Sequence, residues 1–238
     1  MTDPDGETRP RVNRAELRRL REALSRDDVP LKLPVTVPTQ VGPRGSILTV
    51  CTGNICRSPM AEVLLHAGLR DLRVHLHSAG THGLVAHEMT EQAQQLAVSH
   101  GADAADAAAH RARRLDDSIL QNVDLVLAMA REHRSFVVQS VPALLHRTFT
   151  LREFARLSAT LTDDEVRRGV AGSGPDAGGR LRALARLVGS QRGMVPPAPD
   201  DDDVVDPYRR SMATYELSAS QLVPAVDEAN RVIRAALV

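Results

Sequence analysis

An α/β fold built on a parallel sheet follows from two features of the sequence. Between Ser46 and Leu157, short apolar β-branched runs alternate with stretches of helical periodicity, the pattern of β–α–β units. The run Ser46–Glu62, SILTVCTGNICRSPMAE, also sets a loop between a strand and a helix start, where open α/β sheets bind anions at the carboxyl ends of their strands.

Taken in order, Ile47, Leu48 and Val50 suit a buried strand. Cys51 to Arg57 is the loop; Gly53 and Asn54 tolerate the left-handed backbone of a tight anion cradle. Ser58 before Pro59 reads as a helix start, with a hydroxyl at the N-cap and proline at the first helical position. The helix from Pro59 to Arg70 turns Ala61, Leu64, Leu65 and Leu69 inward. Arg73–Ser78 alternates as a strand, Thr90–His100 is a helix and Val123–Met129 a central strand. Arg131–Gln139 is helical, Arg147–Thr150 a short edge strand, and Leu151–Leu157 follows it.

Residues 158–203 interrupt this rhythm. Gly172, Gly174, Pro175, Gly178 and Gly179 mark a flexible break, Arg180–Val188 is a helix, and Pro196, Pro197 and Pro199 lead into Asp200–Asp203. A surface excursion is the expected reading. Ser211–Ala236 is the closing helix, which Pro224 should kink or divide. Ahead of the strand–loop–helix run, residues 1–13 are polar and expected to be disordered. Ala15–Ser25 forms a short amphipathic helix, and Pro30, Pro34, Pro38 and Pro43 punctuate an extended linker.

Composition narrows the function. Formal net charge is zero, and the chain has no Trp, three Phe and two Tyr, so neither bulk attraction to nucleic acid nor a base-stacking surface is indicated. The two cysteines, Cys51 and Cys56, both lie in the loop, which leaves no disulfide framework. No apolar run approaches a membrane span, and the N-terminus lacks an apolar signal core; the expectation is a cytoplasmic protein with no membrane partner.

The loop's chemistry is specific. Five residues separate Cys51 from Arg57, so the chain can curl its amides around one phosphate-sized anion while Arg57 grips two oxygens with a planar fork. The helix end, the inward amides and Arg57 favour a thiolate at Cys51, aimed at phosphorus. If the leaving group is a phenolate (pKa about 10), its expulsion calls for a proton donor. Asp206 in Asp206-Pro207-Tyr208 stands out, because Pro207 stiffens the turn. The Asp200–Asp203 run is a solvated acidic loop, or raises the proton affinity of Asp206 by like charge. The histidines show no metal-ligand spacing, and the mechanism asks for no metal or other cofactor.

VCTGNICRSPMAE resembles the signature loop of the low-molecular-weight protein tyrosine phosphatases, Ser78-Ala79-Gly80-Thr81 their Ser-Ala-Gly-Thr turn, and Asp206-Pro207 the pair that carries their general acid. The resemblance implies a three-layer sandwich, a four-stranded parallel sheet with helices on both faces. It also implies a bacterial member whose first 45 residues are an extension and whose phosphatase domain, 46–238, carries an insertion at 158–203. Cys51, Arg57 and Asp206 would be catalytic, hydrolysing phosphotyrosine through a phosphocysteine intermediate. Thr52, Gly53, Asn54, Ile55, Cys56 and Ser58 would form the substrate cradle, with Leu84 on one wall and Tyr208 on the other. Leu84 replaces an aromatic of vertebrate relatives, and Arg209 a second aromatic found in many; Tyr208 either offers its ring face to substrate or packs on the closing helix. Ser58 would also hydrogen-bond the Cys51 thiolate, and Ser78 and His110 would support the loop. Cys56 either pairs with Cys51 under oxidation or fills the loop's underside. The implied partner is a phosphotyrosine protein such as a bacterial tyrosine kinase. The alternatives are a phosphatase of small-molecule phosphates, an arsenate reductase of the same fold, and a non-catalytic phosphate-binding module.

Overall fold

Four short runs, Gly45–Cys51 (β1), Val74–Gly80 (β2), Leu125–Ala128 (β3) and Thr148–Thr150 (β4), pair in parallel in the order β2-β1-β3-β4. The computed structural model describes residues 44–196 and 202–238. The expected N-terminal helix, the prolines at 30, 34, 38 and 43, and residues 197–201 lie outside that set.

The side-chain alternation of the strands divides the core in two. Ile47, Leu125, Leu127 and Phe149 point to one face, where they meet Arg57–Leu69 (α1) and the closing helix. Leu48, Val50 and Val126 point to the other, where Leu120 of Asp117–Leu120 (α4) and Val137 of Arg131–Ser140 (α5) cover them. Glu91–Ser99 (α2) and Ala104–Ala109 (α3) follow β2, and Leu151–Ser158 (α6) follows β4. Helices therefore lie on both faces of a four-stranded parallel sheet, as the resemblance implied.

Four readings need correction. The stretch after Leu157 is no surface excursion. Asp163–Val170 (α7) and Ala177–Ser190 (α8) are both capped helices, and α8 packs on β1 and β3 with Leu181, Leu184, Ala185 and Val188 fully buried. Gly178 and Gly179 are not a flexible break; they give their amides to the Asp176 carboxylate at the N-cap of α8. The crossing is tight enough that a Cβ on Gly45 would stand 2.6 Å from Leu181. Met212–Leu237 (α9) runs undivided through Pro224, packed on α1 and α6. Ser58 is not an N-cap: α1 begins at Arg57, and Pro59 sits in its first turn, where a missing N–H leaves no bond unmade.

Because α8 completes the core, Leu184→Ala is expected to cost about 2–5 kcal/mol of unfolding free energy, measured by denaturant titration. A loss within about 0.5 kcal/mol would return the segment to the surface.

Candidate active site

Cys51 ends β1, is 2% exposed, and opens a loop whose carbonyls are all tied outward. The oxygens of Cys51, Thr52, Gly53 and Ile55 accept from the amides of Thr81, His82, Leu84 and Thr90, and that of Asn54 accepts from His110 Nε2 at 2.8 Å. In a trans peptide the N–H opposes the C=O, so the amides that follow turn to the hollow above the sulfur. Of the two residues expected to take left-handed backbone, Asn54 does (φ 58°), and its N–H reaches Cys51 Sγ at 3.3 Å. Gly80 carries the close approach: a Cβ there would stand 2.4 Å from Thr52 O.

Below the loop, the donors can be ordered. Glu62 is held as a carboxylate. Burial, the largest influence, would raise its proton affinity, but hydrogen bonds from His110 and Ser78 and nearby positive charge together bring it below the ordinary range. Ser78 Oγ therefore donates to Glu62 and accepts from Asn54 Nδ2 (2.7 Å). The same Nδ2 donates to Ser58 Oγ (3.0 Å), which leaves the Ser58 proton pointing at Cys51 Sγ, 3.0 Å away. Asn54 Oδ1 is held by the Arg113 amide at 2.9 Å. Asn54 thus donates to both hydroxyls: Ser78 turns its proton to Glu62, and Ser58 turns its own to an anionic sulfur.

Across the hollow, Arg57 is 4% exposed. Its Nη1 donates to Val204 O (3.1 Å) and its Nη2 meets Asp206 Oδ2 at 2.9 Å, while the buried Nε has no partner among the described residues. Nε and Nη2 are thus the edge of the fork offered to an anion. Asp206 is half exposed and accepts the Tyr208 amide on Oδ1 at 3.2 Å. The cavity between these groups, about 160 Å³, has Cys51 and Arg57 at its floor. Ile55, Leu84 and Tyr208 form its walls, joined by Thr52, Gly53, Cys56, His82 and Asp206. Tyr208 lines the cleft with 38% of its surface exposed, and the Arg209 guanidinium lies 5.1 Å from its ring centre.

All the residues singled out in the sequence meet here: the cavity liners above, and Asn54, Ser58, Ser78 and His110 in the network beneath. His110 is no surface histidine; it ends α3 with its ring on Asn54 and Glu62. Cys56 is a free thiol that turns away, toward Thr90 and Tyr215. Burial pushes its proton affinity up, and burial likewise carries the Tyr215 hydroxyl to about 12, so both stay protonated at neutral pH.

Two contributors carried no sequence signal that was used. Glu62 stands one helical turn after Ser58 within the motif, a spacing that could have drawn attention to it. His133 is buried, with Nε2 2.8 Å from Thr52 Oγ1; burial and then the charge of Arg57 lower its pKa to about 4, so the ring is neutral at pH 7. Asp202 and Asp203 are also corrected: they are bound by Arg156 and Arg131 and are not a free acidic loop facing Asp206.

The fold and the site together define a class: an open parallel α/β protein whose first strand ends in a cysteine under an anion-cradling loop. The sequence profile of the low molecular weight phosphotyrosine protein phosphatase family matches residues 46–167, and the chain belongs to that family. It is 43% identical over 103 residues to the low molecular weight protein-tyrosine-phosphatase Etp of Escherichia coli K12, a stretch that is 43% of this chain and 66% of Etp. The matched part thus spans just under two thirds of that relative's length. A protein-arginine-phosphatase of Geobacillus stearothermophilus is 36% identical over 108 residues, 45% of this chain and 70% of that protein. The crystal structure of Erwinia amylovora tyrosine phosphatase AmsI superposes with a TM-score of 0.52, covering 79% of this chain and 93% of that one at 24% identity, which speaks to the fold.

Proposed function

We propose that the protein hydrolyses phosphotyrosine in proteins through a phosphocysteine intermediate. The observation that carries this is the hydrogen-bonded network of Glu62, Ser78, Asn54 and Ser58, which ends in the Ser58 hydroxyl on Cys51, set opposite Arg57 and Asp206 across one aryl-sized cavity. Bound phosphate oxygens take the loop amides and the Nε–Nη2 edge of Arg57, which spreads the equatorial charge. Entry of the phosphoryl group frees Asp206 from that edge. The Cys51 thiolate forms an S–P bond as the P–O(aryl) bond breaks, and protonated Asp206 delivers its proton to the leaving phenolate oxygen. Asp206, now a carboxylate, accepts a proton from water. The hydroxyl oxygen bonds to phosphorus, the S–P bond breaks, and thiolate and inorganic phosphate are restored.

The walls Ile55, Leu84 and Tyr208 favour a flat apolar ring. Arg209 over Tyr208 brings a positive charge that disfavours the guanidinium of a phosphoarginine. An arsenate reductase needs cysteines to carry the disulfide outward, and apart from Cys51 only Cys56 exists, facing away. Among the described residues, no helix is long and apolar enough to cross a membrane. A bacterial cytoplasm with a phosphotyrosine protein, such as a tyrosine kinase, as substrate fits these features.

The test is turnover of phosphotyrosine, phosphoserine, phosphoarginine and arsenate side by side without added metal. Phosphotyrosine should lead phosphoserine by about 10²-fold or more in kcat/KM. Equal rates, or a lead for phosphoarginine or arsenate, would contradict the proposal.

A further inference from the structure

Among the described residues, the half-exposed Asp206 side chain is held by one arginine and the amide two residues on. The four residues before it are, by contrast, each tied to a different part of the core. Asp202 is 8% exposed, and both its oxygens are held by Arg156 of α6, through Nε at 3.1 Å and Nη2 at 2.9 Å. Asp203 takes the Arg131 amide at the N-terminus of α5 (2.7 Å) as well as that residue's Nε and Nη2 (3.1 and 2.9 Å). Its carbonyl accepts from Arg152 Nη1 at 3.0 Å. The Val204 amide donates to Met129 O (2.8 Å), and Val205 N–H donates to Gln221 Oε1 (2.9 Å).

The same turn that receives this segment also holds the nucleophile's loop. Met129 N–H donates to Val50 O (2.7 Å), one residue before Cys51, and His133 at the start of α5 meets Thr52, one residue after it. Met129–His133 thus touches both halves of the chemistry, which lie far apart in sequence.

We infer that the Met129–His133 turn is a brace setting the proton donor in register with the nucleophile, with Asp203 and Arg156 as positioning residues for proton transfer by Asp206. Proton donation demands heavy-atom placement at hydrogen-bond reach of the leaving oxygen, and a sub-ångström error in the turn carrying the donor is felt in rate. Two-toothed arginine–carboxylate pairs hold direction as well as distance, which a lysine cannot reproduce. Asp203 also lies at the positive end of α5, so it is fixed by the helix as well as by the guanidinium.

The inference rests on Asp206 being the proton donor, and the test separates the two. kcat/KM is measured on two aryl phosphates, one with a leaving group that needs no proton (pKa about 4) and phenyl phosphate (leaving group about 10, as for tyrosine). Asp203→Asn should lose about tenfold on phenyl phosphate and no more than about twofold on the activated ester. Arg156→Lys should show the same selectivity at about three- to fivefold. Placed in an Asp206→Asn background, Asp203→Asn should cost nothing further on either ester. Equal losses on both esters, no loss on either, or an additive loss in the double variant would overturn the brace. If Asp206→Asn itself shows no selective loss on phenyl phosphate, the assignment of Asp206 falls and the brace with it.

Discussion

Cys51→Ser is expected to cut turnover of phosphotyrosine by about 10⁴-fold or more while inorganic phosphate still binds. The reason lies in what the loop is built to hold. The Ser58 hydroxyl and the Asn54 backbone N–H converge on the sulfur, and the Asn54 side chain, by donating to Ser58 Oγ, keeps the Ser58 proton turned toward it. A thiolate is thereby stabilised as attacker and as leaving group. A serine hydroxyl stays protonated at neutral pH, and the groups that reach it, the Ser58 hydroxyl and the Asn54 N–H, are not bases that could take its proton. The Arg57 edge and the loop amides are untouched, so calorimetric titration with phosphate should give nearly the parent affinity. Retention of more than about 1% of the parent rate would remove Cys51 from the reaction.

Asp206→Asn is expected to lower kcat/KM for phosphotyrosine by about 10²–10³-fold. The amide cannot deliver a proton to the phenolate, nor take one from water in the second step. It also loses the ion pair with Arg57 Nη2, so phosphate affinity should stay level or rise, since the substrate no longer competes with a carboxylate for that nitrogen. A rate within a fewfold of the parent's would mean that the proton comes from elsewhere.

Much of this was readable in the sequence because it is local. The strand ending at Cys51, the turn at Asn54 and the helix that follows are dictated by apolar run, backbone freedom and spacing within a dozen residues. A leaving group that needs a proton calls for an acid, and the stiff turn at Pro207 with its resemblance to the family's Asp-Pro pair points to Asp206. What escaped is non-local. Asp202 and Asp203 look like free acid until Arg156 and Arg131, 46 and 72 residues away in sequence, are folded onto them. His133 shows nothing in sequence to tie it to Thr52, 81 residues earlier. The segment after Leu157 misled differently. Its Gly and Asp residues are turn formers, yet Asp176 caps α8, and Gly169 and Gly178 sit at close contacts of α7 and α8. The leucines of α8 had helical spacing, but nothing local said that the sheet waited beneath them.

The most direct test of the central claim is to stop turnover of phosphotyrosine within milliseconds and map the protein by mass spectrometry. The account places a phosphoryl group on Cys51 sulfur, absent from Cys51→Ser. A phosphoryl group on another side chain, or none at any time while phosphate is still being released, would contradict it.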